Sequence, residues 1–381
     1  MTWKKGLSTR ACGRQPVSTP LRAIRWGMRY GGRMPLDSEQ LTWIGAALQC
    51  ESQKLSVRLI AGDASPRRYY RVAQSGQADT ATTIFVTSPP SENNAAFIGI
   101  DELLAHQGVR VPHVMATDLE AGWFLLEDFG DVLLAERLTP ESVDALYAQA
   151  LDTLHSIQSP SMGWAEVPPY DASRLQQELD VFPEWFFASL LGQPLTTISD
   201  SGFAALCKTL KDSALAQPQV LVHRDFHCRN LMCLSDGSLG VIDFQDAVIG
   251  PITYDVVSLL KDCYIEWPRA QQLAWLAEFV EGAVVDDGEQ GIDLNQWTEW
   301  FDLMGLQRHL KVLGVFSRLA LRDGKPGYLH DIPLVMRYIE EALALYSARP
   351  EVSAFSDWWK RIVAPAKDDW GNIVQRVADS L

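Results

Sequence analysis

Residues 222–244 read VHRDFHCRNLMCLSDGSLGVIDF, and this stretch decides the fold. A short apolar run, Val220–Val222, leads into a polar loop over 223–230. Two more short apolar runs follow, LMCL (231–234) and LGVIDF (239–244), on either side of a turn at Asp236-Gly237. Apolar runs of this length around an Asp-Gly turn predict two short strands. Pairing them brings the loop that ends at Asn230 and the acidic Asp243 together on one edge.

Outward from this hairpin the two sides of the chain differ. Upstream, Asp37 or Ser38 can cap a helix through Leu41, Ile44, Ala47 and Leu48. Strands are predicted at LSVRLI (55–60), RYYRV (68–72) and TTIFVT (82–87), with a turn signal at GDASP (62–66). A helix over 95–107 puts Phe97, Ile100, Leu103 and Leu104 on one face. HVMATD (113–118) and GWFLLEDF (122–129) complete a small β-rich lobe. After 137 the period becomes helical, over 140–157, 171–191 and 201–216, and again from 255 onward. The expected architecture is α+β in two lobes, 37–130 and 131–381, joined near 127–131.

Composition agrees with a folded chain of this kind. Of 381 residues, 47% are apolar and 21% charged, which excludes disordered, collagen-like and coiled-coil classes. No run of 18 apolar residues occurs, so no membrane span is expected. The 33 basic and 48 acidic side chains give a net charge of −15, a poor footprint for nucleic acid. Six cysteines stand apart at 12, 50, 207, 228, 233 and 263 with no C-x-x-C, which fits a reducing cytoplasm and no disulfide framework. Residues 1–36 hold eight basic residues and no acidic one, without helical or strand period. They read as a basic tail that is disordered, or not translated if synthesis starts at Met34; without an apolar core segment they do not read as a secretory signal.

The loop carries chemistry. His223, Asp225 and Asn230 have the kinase form H-x-D-x-x-x-x-N, and Asp243 follows 13 residues later. Phosphoryl transfer asks a protein for positioning and charge neutralisation more than for covalent help. Asp225 is placed to accept the acceptor hydroxyl's proton. Asn230 and Asp243 offer the hard oxygen ligands that Mg2+ wants against ATP phosphates. The protein-kinase glycine loop, V-A-I-K lysine and A-P-E are missing.

These motifs resemble the aminoglycoside phosphotransferase-like kinases. At the subfamily level, GDASPRRYYRV (62–72), SPP (88–90), LLEDFGD (125–131), VHRDFHCRNLM (222–232) and IDFQDAVIGPITYDVVSLLKDCY (242–264) resemble the bacterial anomeric kinases of N-acetylmuramate and N-acetylglucosamine. The likeness extends over about residues 38–350. It implies a protein-kinase-like fold and transfer of the ATP phosphate to a C1 hydroxyl in cell-wall sugar recycling. It also implies a sugar 1-phosphate product passed to a uridylyltransferase. By that resemblance Asp225 is the catalytic base and Asn230 and Asp243 hold magnesium. His223 and Arg224 brace the loop, and Asp255 ties the next helix.

One departure bears on nucleotide binding. TTIFVT lacks the lysine that grips phosphate in such kinases. Arg67, Arg68 and Arg71 are candidate replacements, with backbone N–H groups around Ser65 as a second source of phosphate contacts. Glu102 is a candidate to orient that cation, or simply a solvated helix face. Glu127 marks the junction where adenine meets backbone. For the acceptor, His227 and Arg229 follow the base closely, and Arg229 or another large-lobe arginine can pair with a lactyl carboxylate. Asp246 can meet a sugar hydroxyl or hold the loop. Glu178, Glu184 and Trp185 lie on a helix beside the cleft, where Trp185 can stack on a pyranose or belong to the core. Asp262 and Tyr264 are further candidates. Phosphorylation of an aminoglycoside or amino alcohol, or nucleotide binding without turnover, stays open at this point.

Overall fold

The computed structural model describes residues 36–60, 66–74, 82–283 and 293–380. The basic tail falls outside these residues except for Leu36, and so does the GDAS turn at 62–65, including Ser65.

Helix α1 (Ser38–Ala47) begins at a reciprocal cap. Asp37 Oδ1 accepts the Gln40 N–H at 2.8 Å, and the Gln40 side chain accepts the Asp37 N–H at 3.1 Å. Strands β1 (Leu55–Ile60), β2 (Arg68–Gln74) and β3 (Thr82–Thr87) follow, then α2 (Asn94–His106), β4 (Val114–Asp118) and β5 (Trp123–Glu127). The five strands form one antiparallel sheet in the order β1-β2-β3-β5-β4. Alternation along each strand sorts side chains between its faces. Tyr70 and Val72 of β2 are buried with Ile44, Phe85 and Leu125 on the α1 side. Tyr69 faces the other way, into the cluster of Phe97, Phe124 and Leu126. Phe97 of α2 stacks on Phe244 at 5.2 Å, so this helix rests directly on the larger lobe.

The larger lobe is mostly helical. Its elements are α3 (Val143–Ile157), α4 (Ala172–Val181), α5 (Phe203–Leu215), β6 (Gln219–Val222), β7 (Leu231–Cys233), β8 (Leu239–Val241) and β9 (Val248–Pro251). Then come α6 (Thr253–Leu260), α7 (Arg269–Gly282), α8 (Leu294–Leu321), α9 (Ile332–Leu345), α10 (Pro350–Ile362) and α11 (Trp370–Ser380). Between α4 and α5, Phe182–Leu190 winds as a π-helix. Pro183 has no N–H to give the preceding turn, and the wider coil closes with Leu191 N–H on the Phe186 carbonyl at 3.0 Å. Helix α8 spans about 42 Å at 1.5 Å per residue and is buried nearly all round, as an axial helix must be. Gly314 lets it meet α4. A Cβ there would lie 2.4 Å from both the carbonyl carbon and the oxygen of Val181.

The tryptophans are largely core. Trp358, Trp359 and Trp370 pack with Phe182, Phe186, Phe203 and Phe355 between the π-helix and the C-terminal helices. The predicted hairpin is present as β7 and β8, with Leu231 opposite Val241. Strand β9, which the sequence reading lacks, pairs antiparallel with β6, Val222 opposite Val248. The loop after β6 is thus anchored on both sides.

Candidate active site

Strand β6 delivers the chain into the loop at Val222. Arg224 then takes a left-handed φ of 76° and Asp243 one of 66°. A side chain in that region is uncommon, and such residues gather where function demands a fixed geometry. Only Gln49 joins them among the described non-glycine residues. The loop is held by Asp255, wholly buried in the first turn of α6. Its carboxylate accepts the N–H groups of His223 at 2.6 Å and Arg224 at 3.0 Å. Burial outweighs those bonds and raises Asp255 to about 6.

His223 braces the loop from within. Its Nε2–H donates to the Ile242 carbonyl at 3.0 Å, while Nδ1 accepts the Asp225 N–H at 3.3 Å. This fixes the neutral tautomer, and burial lowers the imidazole's pKa accordingly.

Asp225, Asn230 and Asp243 are brought together. Asn230 Nδ2 donates to the Asp225 carbonyl at 3.0 Å and lies 3.4 Å from Asp243 Oδ2. Those bonds use the amide nitrogen and leave Asn230 Oδ1 for a cation. One amide oxygen and one carboxylate suit Mg2+, which is typically bound by one or two protein oxygens plus substrate phosphates. Among the described residues no group of three His, Cys, Asp or Glu forms a cage that would need no such phosphates.

The two carboxylates differ electrically. Asp225 is pushed up by burial, but Lys311, Arg308, His227 and Arg224 override this and hold it well below the usual range. Arg308 Nη1 is 3.9 Å from its Oδ1, and the side chain keeps 43% exposure, enough for an acceptor to reach it. Asp243 is raised, by burial first and then by Asp225 among its neighbours.

The predicted small-lobe cations have separate fates. Arg67 is buried; its Nε donates to Ser88 Oγ at 3.1 Å, and its guanidinium lies 5.4 Å from the Phe97 ring. Ser88 in turn donates to Asn94 at 2.6 Å, so SPP and Arg67 stitch β3 to α2. Arg68 is exposed, and alternation sets it on the opposite face of β2 from Arg67 and Tyr69. Arg71 forms a fork onto Asp128, pairs with Asp131 at 2.7 Å and reaches the Gly130 carbonyl at 3.0 Å. It clamps the junction between lobes. Glu127 faces Arg110, which donates to it from both terminal nitrogens, one at 2.7 Å. Its carboxylate therefore serves the junction. Glu102 is exposed, on a solvated helix face.

On the acceptor side, the Arg229 guanidinium lies 3.5 Å from the Tyr264 ring centroid, and His227 meets the same ring edge-on at 5.3 Å. Asp262 accepts the N–H groups of Cys228 and Tyr264, both at 3.0 Å, which makes it a support for the loop. Asp246 is exposed, and its backbone carbonyl lies 3.4 Å from Arg224 Nη1. Trp185 is half-buried on the π-helix, and no ring contact or hydrogen bond joins it to the loop among the described residues. Glu178 is buried instead of open to a sugar. It takes the Tyr170 hydroxyl, Arg224 and Lys311, the last at 3.0 Å. Burial raises its pKa, but Lys311 and Arg224 prevail and bring it to about 2.

Sequence reasoning missed Arg308 and Lys311 of α8, the two cations that set the charge on Asp225. The available signal was two basic residues three apart on a helix otherwise apolar enough to be axial.

The family described as APH, phosphotransferase enzyme family, matches residues 56–293. An N-acetylmuramate/N-acetylglucosamine kinase of Pseudomonas putida is 40% identical, over 82% of this chain and 90% of its own length. A protein of the same name from Pseudomonas aeruginosa is 42% identical, over 77% and 85%. Among solved structures, a Plasmodium vivax ethanolamine kinase superposes with a TM-score of 0.57 at 13% identity, over 82% of this chain and 92% of that one. That likeness concerns the protein-kinase-like two-lobe fold.

Proposed function

Because this chain belongs to the phosphotransferase enzyme family, we propose that it moves the terminal phosphate of ATP to the C1 hydroxyl of N-acetylmuramate and N-acetylglucosamine. The observation that carries the reading is the gathering of an ionised Asp225 with Asn230 and Asp243 on one anchored loop. Relatives at 40% and 42% identity bear the names of these two sugars.

Asp225 accepts a hydrogen bond from the acceptor hydroxyl and aligns its oxygen for attack. Its low pKa makes it a weak base, so it takes the proton late, as the new O–P bond forms. The anomeric hydroxyl is more acidic than a primary alcohol and suits such a base. Asn230 Oδ1 and the Asp243 carboxylate would hold magnesium, which would supply charge neutralisation for the nucleotide phosphates. His223 and Asp255 keep the loop rigid, so little reorganisation remains at the moment of transfer. The cations Arg308 and Lys311 beside the base disfavour an aminoglycoside or amino-alcohol acceptor, which would carry like charge. The product, a sugar 1-phosphate, is the chemical class that a nucleotidyltransferase consumes. This fits cytoplasmic recycling of cell-wall sugars.

The test is ADP release with N-acetylmuramate, N-acetylglucosamine, kanamycin, choline and no acceptor, followed by phosphorus–proton correlation of the product. Coupling to the anomeric proton is expected. Coupling to the C6 methylene, or rapid turnover of a methyl glycoside blocked at C1, would reject the assignment.

A further inference from the structure

A pocket of about 220 Å3 opens between α4, the loop and α8. Arg174, Arg224, Lys311 and Arg318 line it, against Glu178 as its one carboxylate among the described residues. Glu178 is already shared between Arg224 and Lys311. Three positive charges therefore remain in excess, in a chain whose net charge is −15. Two buried guanidinium nitrogens here, Arg224 Nε and Arg318 Nε, have no hydrogen-bond partner among the described residues. Buried donors without partners are rare, and a cationic pocket that holds them is suited to an anion. The pocket also adjoins the reacting centre. Arg224 is the loop residue before Asp225, and Lys311 acts on the Asp225 carboxylate.

We infer that this pocket seats a carboxylate of the acceptor, the lactyl acid of N-acetylmuramate, with Arg174 and Arg318 as its specificity-determining residues. The inference rests on the functional reading above. The lactyl ether leaves the ring at C3, two ring bonds from C1 and across the pyranose from the ring oxygen. A sugar with its anomeric oxygen at Asp225 can thus extend that arm toward α4 and α8. N-acetylglucosamine lacks the arm and leaves the pocket to water. The pocket therefore governs preference between the two sugars while the chemistry stays the same.

The experiment measures kcat and KM of the full chain for N-acetylmuramate, its lactyl carboxamide and N-acetylglucosamine, in wild type, Arg174→Gln and Arg318→Gln. For wild type, the amide should lose about 10- to 100-fold in kcat/KM relative to the acid, chiefly through KM, as expected for a lost charge-assisted contact. Each variant should reduce the ratio of N-acetylmuramate to N-acetylglucosamine kcat/KM by about tenfold or more, and should cost the amide little beyond that. Indifference of wild type to the amide would overturn the inference without any variant having to fold. Equal losses on both sugars would overturn it as well. Failure of wild type to phosphorylate either sugar is a different result, and would sink the functional reading itself.

Discussion

Asp255→Ala removes the acceptor of two backbone N–H groups in the segment that presents the base. Each buried donor left without a partner costs about 1–3 kcal/mol, so about 2–6 kcal/mol in total. At roughly 2 °C per kcal/mol for a chain this long, the thermal midpoint should fall by roughly 4–12 °C. Asparagine behaves differently. It keeps one acceptor and sheds a charge that burial opposes. The carboxyl rises from 3.8 to about 6 on folding, a shift of about 2 units, so its ionised form is penalised by about 3 kcal/mol at neutral pH. Relief of that penalty offsets the one lost N–H acceptor, and Asp255→Asn should melt near wild type at pH 7. The sign follows from linkage. A carboxyl whose folded pKa is raised contributes stability in full below its unfolded pKa, and loses it as pH rises through the folded value. Wild type should therefore gain on Asp255→Asn as pH falls from about 6 to about 4. Calorimetric melts at pH 5 and 7.5, beside kcat at saturating ATP, make the test. Both variants should turn over more slowly, because the N–H groups of His223 and Arg224 no longer both have a carboxylate oxygen holding the left-handed turn. An alanine variant with wild-type midpoint and kcat, or an Asp–Asn difference independent of pH, would refute the reasoning.

Other expectations concern the same machinery. Asp225→Asn should lower kcat by about 10²–10⁴-fold with ATP affinity retained, read by kinetics beside titration calorimetry; retention of most of the rate would remove Asp225 from the base role. Asn230→Ala and Asp243→Ala should each raise the magnesium concentration needed for half-maximal rate, and wild-type activity at limiting magnesium would contradict the ligand assignment. Arg71→Ala leaves Asp128, 3% exposed, without its cation and should destabilise by about 3–5 kcal/mol in urea titration, with Arg71→Met/Asp128→Leu recovering most of it. Equal stability of Arg71→Ala and wild type would show that the clamp is incidental.

Local pattern made much of the chain readable. Alternation in LSVRLI and the β-branched and aromatic run of TTIFVT give β1 and β3 end to end, and the spacing of His223, Asp225, Asn230 and Asp243 gathers the loop because a tight hairpin enforces it. What escaped was set by distant partners. Val248–Pro251 looks like a Gly-Pro turn and becomes a strand only because β6 lies beside it. Arg67 and Arg71 look equally free in sequence, yet one is consumed by Ser88 and the other by Asp128 and Asp131, carboxylates 57 and 60 residues away. Glu178 reads as a residue open to the cleft until Lys311, on a helix more than a hundred residues later, is placed against it. Such pairings depend on which helices meet, and periodicity is silent on that.

The missing side chain at 314 acts as a gauge block between two cylinders. With hydrogen as its only substituent, α8 can settle against the Val181 backbone, and one turn earlier on the same cylinder Lys311 then meets Glu178. The electric field at the reacting oxygen is thereby calibrated by a steric detail that touches no reactant. A methyl group inserted there would push the axis outward and take Lys311 and Arg308 with it. Drift at this position would change the chemistry of the loop while every residue of the loop stayed the same.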